Sequence, residues 1–491
     1  MRLVHNPQLA IDRLPIEETK LPLKCKTKMD QLCEALLALY TNETYQKKLF
    51  AILQKHLIKK LKKQGRKGMD LWAIFVLAQV RQCLNIGYED LQNLANNHRA
   101  IRQIMGIETK AGFDMITLKL STIHDNVSLL DESLLEQINE LVVDFGQKEV
   151  FKKKETTALR LKTDSFVVET NVHVPTDYNL LWDCHKVCLR CVAKFVKKHN
   201  IKGWRKLKNW RANLKSLMRT LGKVTSGGGK NKRARELKAA QDYVLKSNLL
   251  LEKLKKDCDN FPVTDAVDLI TAFQLSEFME LMEKHIDLVT RRLIKGETIP
   301  HEEKLFSVFE QHTELINKGK RNVEFGRVVG ITTDQYDLIL DYQIYKKQTD
   351  QQVLKPLVTR VKQRHKLIDS WSFDKGYSNK ENKAFLAAEI TQPIMPKKGN
   401  KNKAEQERES QVKFKKLRNK HNAIESNINE LEHRGLNRCA DKGEENFNKY
   451  VAKAICAYNL RKIGQKLIQQ KIEAAKKEKE KYRQALLAKV A

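Results

Sequence analysis

The chain has 491 residues, 41% of them hydrophobic and 31% charged, which is enough apolar material for several domains and too much for a disordered tail. Its formal net charge of +32 repels itself unless a polyanion neutralises it, and nucleic acid or an anionic membrane surface would serve. A membrane span is excluded by pattern, because no apolar run approaches the roughly 20 residues needed, and mean hydropathy is −0.55.

The opening segment, MRLVHNPQLA, lacks the apolar core of a secretory signal, so a cytoplasmic location is expected. Nine cysteines are scattered from Cys25 to Cys456 and are expected to be reduced there. Residues 28–110 carry helical periodicity in MDQLCEALLALY, YQKKLFAILQKHLIKKLKK and MDLWAIFVLAQVRQCL. Asn85-Ile86-Gly87 ends the third, a helix starts at Tyr88, and the basic HRAIRQIMGI follows. That succession fits a helix-turn-helix-like DNA-binding unit and equally an ordinary helical bundle.

ALRLKTDSFVVETNV, residues 158–172, alternates and is rich in branched residues, which predicts a strand carrying Asp164. Very basic helical sequence follows over 176–321. Within it Trp204 and Trp210 lie beside Arg205 and Arg211, an interleaving that suits stacking on bases and pairing with phosphates, or else places the tryptophans in a helical core. Cys184, Cys188 and Cys191, with His185, fall on one helical face without the second close pair of a zinc site, so they read as buried small hydrophobes. Ser226-Gly227-Gly228-Gly229-Lys230 lacks the pattern of a phosphate-binding loop.

Beyond Arg321, EFGRVVGITTD and YDLILDYQIY predict a hairpin, and TDQQVLKPLVTRVKQRH a helix capped by Thr349 or Asp350. IDSWSFDKGY predicts a short strand ending on Asp374, NKENKAFLAAEI a helix, and TQPIMPKK a strand. KGNKNKAEQERES reads as a mobile loop, HNAIESNINELEHRGL as a helix, and AAKKEKEKYRQALLAK as a charged terminal helix. The expected fold is α+β: a mixed sheet with helices packed on it, interrupted by a helical insertion after the first strand.

Three acids stand out by position: Asp164 in the first strand, Asp374 at the C-terminal end of a later one, and Glu425 on the helix after the last. Hard divalent cations take carboxylate oxygens from rigid elements, and such ions serve phosphoryl transfer. With 60 acids in the chain, spacing alone does not select these three.

TDSFVVETNVHVPTDYNLLWD resembles the first-aspartate motif of bacterial insertion-sequence transposases of the DDE type, and Asp164 takes its acid position. WSFDKGYSNKEN is similar to the second motif, which gives Asp374, and HNAIESNINELEHRGLNRC to the third, which gives Glu425. The resemblance spans residues 68–465 and is nearest to the insertion-sequence group outside the large classical families. It implies a ribonuclease H-like core, Mg²⁺ (with Mn²⁺ as substitute) as two ions on Asp164, Asp374 and Glu425, and double-stranded DNA as partner. That DNA would be the element's inverted repeats and its target, held by a homodimer near the nucleoid. The implied organisation is a DNA-binding region at 1–150, a catalytic core at 151–175 and 322–465, a basic insertion at 176–321 and a charged helix at 466–491. Near Glu425 the chain departs from related transposases, with Arg418, His421 and Glu432 at the positions of tyrosine, arginine and lysine. Contacts to the DNA end are therefore expected from Lys375, Arg418, Lys420 and His421, and Glu430 stays open as the third acid.

Overall fold

The computed structural model describes residues 12–22, 27–57, 68–317, 323–397 and 399–490, with the side chains of 485–490 left aside. The N-terminal segment 1–10, Cys25 and the expected run of the second helix past residue 57 lie outside these residues. The chain divides into two compact units, one of residues 1–171 with 326–491 and one of residues 172–325.

The first unit begins with helices α1 (Lys28–Thr41), α2 (Glu43–Leu57), α3 (Leu71–Leu84), α4 (Tyr88–Asn97), α5 (Arg99–Ile104), α6 (Leu120–Val127) and α7 (Glu132–Phe145). Thr27 caps α1 by accepting from the Asp30 N–H at 3.2 Å. Helix α3 is apolar nearly all round, which makes it a core helix rather than a surface one. It stops where Asn85 turns left-handed at φ 53°, a conformation asparagine tolerates. In short α5, Arg102 points inward: its guanidinium pairs with Glu108 at 2.5 Å and donates to the Ile116 carbonyl at 2.8 Å. These helices share one apolar core with the sheet described next.

Strand β1 (Leu159–Thr170) leads into the helices of the second unit, α8 (Asp177–His199), α9 (Leu207–Ser226), α10 (Lys232–Cys258) and α11 (Ala266–Val289), and then β2 (Glu314–Asn317). After it come β3 (Val323–Thr333), β4 (Ile339–Ile344), α12 (Asp350–Arg364), β5 (Ile368–Phe373), α13 (Lys380–Glu389) and β6 (Gln392–Ile394). Helices α14 (Lys403–Ser410), α15 (Val412–His421) and α16 (Ala423–Leu431), short β7 (Arg438–Cys439) and long α17 (Glu444–Val490) complete the chain.

The sheet is mixed and seven-stranded, ordered β2-β3-β1-β5-β6, with β4 also on β3 and β7 on β1. Strands β1, β3 and β4 are antiparallel neighbours, while β5 and β6 run parallel to β1. Polar side chains pin the central strands from within: Trp371 donates to Thr163 Oγ1 at 2.8 Å, and Thr163 meets Thr332 at 2.7 Å. The N-terminal half of α17 packs on α1, α3 and α7. There Asn459 satisfies the backbone of Ile339 in both directions, at 2.8 and 2.9 Å.

Two expectations are corrected. KGNKNKAEQERES is no bare loop, because its second half forms α14. A capping box of Asn402 and Glu405 starts that helix, and Glu405 also draws in Lys383 and Lys397. The charged terminal helix is also not a separate element, since it continues α17 without a break.

The second unit has its own core, built from inward faces of α8 to α11. Cys184, Cys188 and Cys191 lie in it among Leu181, Phe195 and Met282, and His185 is buried against Tyr243.

Candidate active site

Strand register brings the first two acids together. Thr163 of β1 pairs with Phe373 of β5 in parallel, so the next residues stand side by side, Asp164 midway along β1 and Asp374 just past the end of β5. Asp374 closes the strand by accepting from the Gly376 N–H at 3.2 Å, and Asp164 accepts from the Ser165 N–H at 2.8 Å. Helix α16 packs on β1 through fully buried Ile424, with fully buried Leu431 on the same helix, which leaves Glu425 exposed beside that apolar stripe.

The three carboxyls feel one another. Burial pushes the Asp164 carboxyl up to about 7, and the charges of Asp374, Asp350 and Glu425 add to the effect. Among the described residues no three His, Cys, Asp or Glu side chains are placed tightly enough to hold a metal ion. The donor set nevertheless fits a divalent cation in kind, because several carboxylates raise one neighbour's pKa and a cation would lower it.

Asp350 belongs to this cluster, and sequence reasoning treated it only as a helix cap. It starts α12, accepts from Ser165 Oγ at 2.9 Å, and receives the hydroxyls of Tyr345 and Tyr377. Those two hydroxyls are themselves 2.9 Å apart. Burial and nearby Asp374 raise its pKa despite these bonds. Gly376 makes the approach possible, since a Cβ there would lie 2.8 Å from Asp350 Oδ2. The Asp-Lys-Gly-Tyr motif thus supplies an acid, a gap for a second acid and a hydroxyl that bonds to it. The only signal in the sequence was an acid at a helix start, which the helix dipole explains equally well.

Glu430 has partners of its own. It is held by Arg434 at 3.2 Å, by Lys462 at 3.2 Å and by Arg461, three cations that commit it to an ion-pair network. His421 Nδ1 bonds Ser372 Oγ at 2.9 Å, and burial pushes its pKa down to about 4 although Asp374 is near. Lys375, Arg418 and Lys420 are exposed.

In the second unit the expectation for Trp204 is corrected. It is only 2% exposed, packed in the helical core with Lys253 Nζ 4.4 Å above its ring, so it offers no face to a base. Trp210 is half-buried and likewise covered, by Lys246 at 4.3 Å. Arg205 and Arg211 point outward.

Residues 296–461 match the family model described as a transposase DDE domain. The match covers less than half the chain, includes Asp374 and Glu425, and begins after β1 with Asp164. Through this segment the chain is similar to DDE transposases. No curated protein and no solved structure matches the chain. No described helix is long and apolar enough to cross a membrane.

The raised Asp164 pKa makes a testable statement about stability. An unfolded aspartate titrates near 3.9, and the native one near 7. The native state therefore holds this proton more tightly, and the group's contribution is full below about pH 4 and lost as pH rises toward 7. Asp164→Asn should gain stability relative to the parent across that window. Mn²⁺ should raise the parent's Tm more at pH 8 than at pH 5 and should do so far less in Asp164→Asn. An equal Mn²⁺ shift in both proteins would put the ion somewhere else.

Proposed function

We propose that this chain is a DNA transposase of the insertion-sequence type, of the group outside the large classical families. It binds the inverted-repeat ends of its element, cuts them by metal-dependent phosphoryl transfer, and joins the freed 3′-hydroxyl to target DNA. The observation that carries this reading is the adjacency of Asp164 and Asp374 with Glu425 in their field, in a chain similar to DDE transposases. A ribonuclease H-like core is supported by the strand arrangement, three antiparallel strands followed by two parallel ones with a helix in the connection to each.

In this reading Asp164, Asp374 and Glu425 hold two Mg²⁺ ions, or Mn²⁺ in their place. The chemistry such ions supply is neutralisation of phosphate charge and easier deprotonation of the attacking oxygen. The chain's own residues do the rest. Asp350 fixes Ser165 and the turn after Asp374, and so positions both acids. Lys375, Arg418 and Lys420 meet phosphates as exposed cations, while His421, neutral near pH 7 and bonded to Ser372, supports that edge without adding a charge. Arg205 and Arg211 contact DNA from the helical unit, with Trp210, half-buried under Lys246, beside them, and the N-terminal helices contribute through exposed Arg99, since Arg102 is spent inside. The active form is a homodimer on paired DNA ends, working in the cytoplasm at the nucleoid.

The test is a joining assay. The purified chain, Mg²⁺ and DNA carrying the element's ends should yield cut ends and then products covalently joined to a second DNA. Cutting without joining would reduce the protein to a nuclease, and binding without cutting would leave only a DNA-binding protein.

A further inference from the structure

In the helical unit, α8 and α9 pack together and leave a groove of about 380 Å³ between them. Lys186 and Arg190 line it from α8, Lys208 and Arg211 from α9, and Phe309 from the chain after α11. Spacings of four and three put each cationic pair on one side of its helix. Helix α9 contains no acid at all, and its outward face continues the basic row through Lys215 and Arg219.

Some cations of this unit are paired and those lining the groove are mostly not. Lys198, Lys255, Arg291 and Arg292 all have carboxylate partners. Of the groove cations Lys186 has one, Asp183 at 2.5 Å. No carboxylate of a described residue lies within ion-pair distance of Arg190, Lys208 or Arg211. Phe309 is 49% exposed, with its ring 5.8 Å from Phe278, which holds it in place. An anchored aromatic left half in water beside unpaired cations is the pattern of a stacking platform on a phosphate-binding surface. A groove of about 380 Å³ has room for about one nucleotide.

We propose that this groove binds a DNA strand, with Lys186, Arg190, Lys208 and Arg211 on its phosphates and an unpaired base stacked on Phe309. The choice of DNA over another polyanion rests on the transposase reading. The groove gives Phe309 the role that the sequence pattern suggested for Trp204 and Trp210.

The experiment is equilibrium binding by the full chain in EDTA, where no cutting occurs, read by fluorescence anisotropy. The probes are a short labelled thymidine oligonucleotide, a duplex of equal length and an RNA oligonucleotide. Phe309→Ala should weaken single-strand binding roughly 5- to 100-fold, leave its salt slope unchanged and leave duplex binding within about twofold. Phe309→Trp should restore it. Lys208→Ala with Arg211→Ala should lower the single-strand salt slope by about 1.4, two phosphate contacts at roughly 0.7 each. Circular dichroism and Tm, unchanged in these exposed-site variants, separate binding loss from unfolding. Single-strand affinity and slope unmoved by either variant would overturn the proposal, as would equal losses on the duplex or a clear preference for RNA. Because nothing here requires chemistry, a failed joining assay with these losses intact would overturn the transposase reading alone.

Discussion

Asp164→Asn and Asp374→Asn are each expected to bind DNA as the parent does and to cut it slower by about three orders of magnitude or more. Asparagine keeps the shape of the side chain and an oxygen for the local backbone contacts, which are Ser165 N–H for Asp164 and Gly376 N–H for Asp374. The β1–β5 ladder that places both residues is made by backbone groups and survives. What disappears is a negative charge at the point where a cation would sit. Cleavage of end DNA in Mg²⁺ or Mn²⁺, beside anisotropy in EDTA, separates the two effects. A variant that still cuts at near the parental rate would take its residue out of the site.

Glu425→Gln and Glu430→Gln are expected to fail in different ways. Glu425 is exposed and contributes to the field at Asp164. Its neutralisation should cost about three orders of magnitude in cutting and almost nothing in Tm. Glu430 instead faces Arg434, Arg461 and Lys462, of which Arg434 and Arg461 are buried. Losing its charge strands those cations, and stability should drop by up to about 3 kcal/mol, the low end for a broken buried ion pair. Protein that still folds should cut at a near-normal rate. If Glu430→Gln abolished cutting without lowering Tm while Glu425→Gln did neither, the third acid would be Glu430.

The elements that carry the three acids were legible because each has a distinct local pattern, while the choice of these acids among 60 rested on the resemblance. Alternating branched residues mark β1, a short apolar run ending in Asp-Lys-Gly-Tyr marks β5, and a helical apolar stripe marks α16. Asp350 was not legible as a site residue, since its partners Ser165, Tyr345 and Tyr377 come from three separate segments and meet only in the folded sheet. Trp204 misled because a tryptophan among lysines has the same spelling whether the lysines lie over its ring or beside it. α14 was missed because its support is tertiary: Lys383 and Lys397 reach Glu405 from outside the segment.

The placement of the helical unit bears on how the chain folds. Glu169 and Gly326 face each other in an antiparallel ladder, a pairing usually closed by a turn of a few residues, yet the whole of Val172–Phe325 lies between them. Loop closure costs about 0.6 kcal/mol per doubling of length, so an unstructured insertion of this size would set the ladder back by roughly 3 kcal/mol. A unit with its own core escapes that penalty if it folds first and brings its two ends together. The order of events is then dictated by topology: β1 leaves the ribosome long before β3, β5 or β7 exists to pair with it. Until then its apolar, β-branched FVVET stretch is an open edge on both sides, which is the interval in which this chain is most exposed to aggregation.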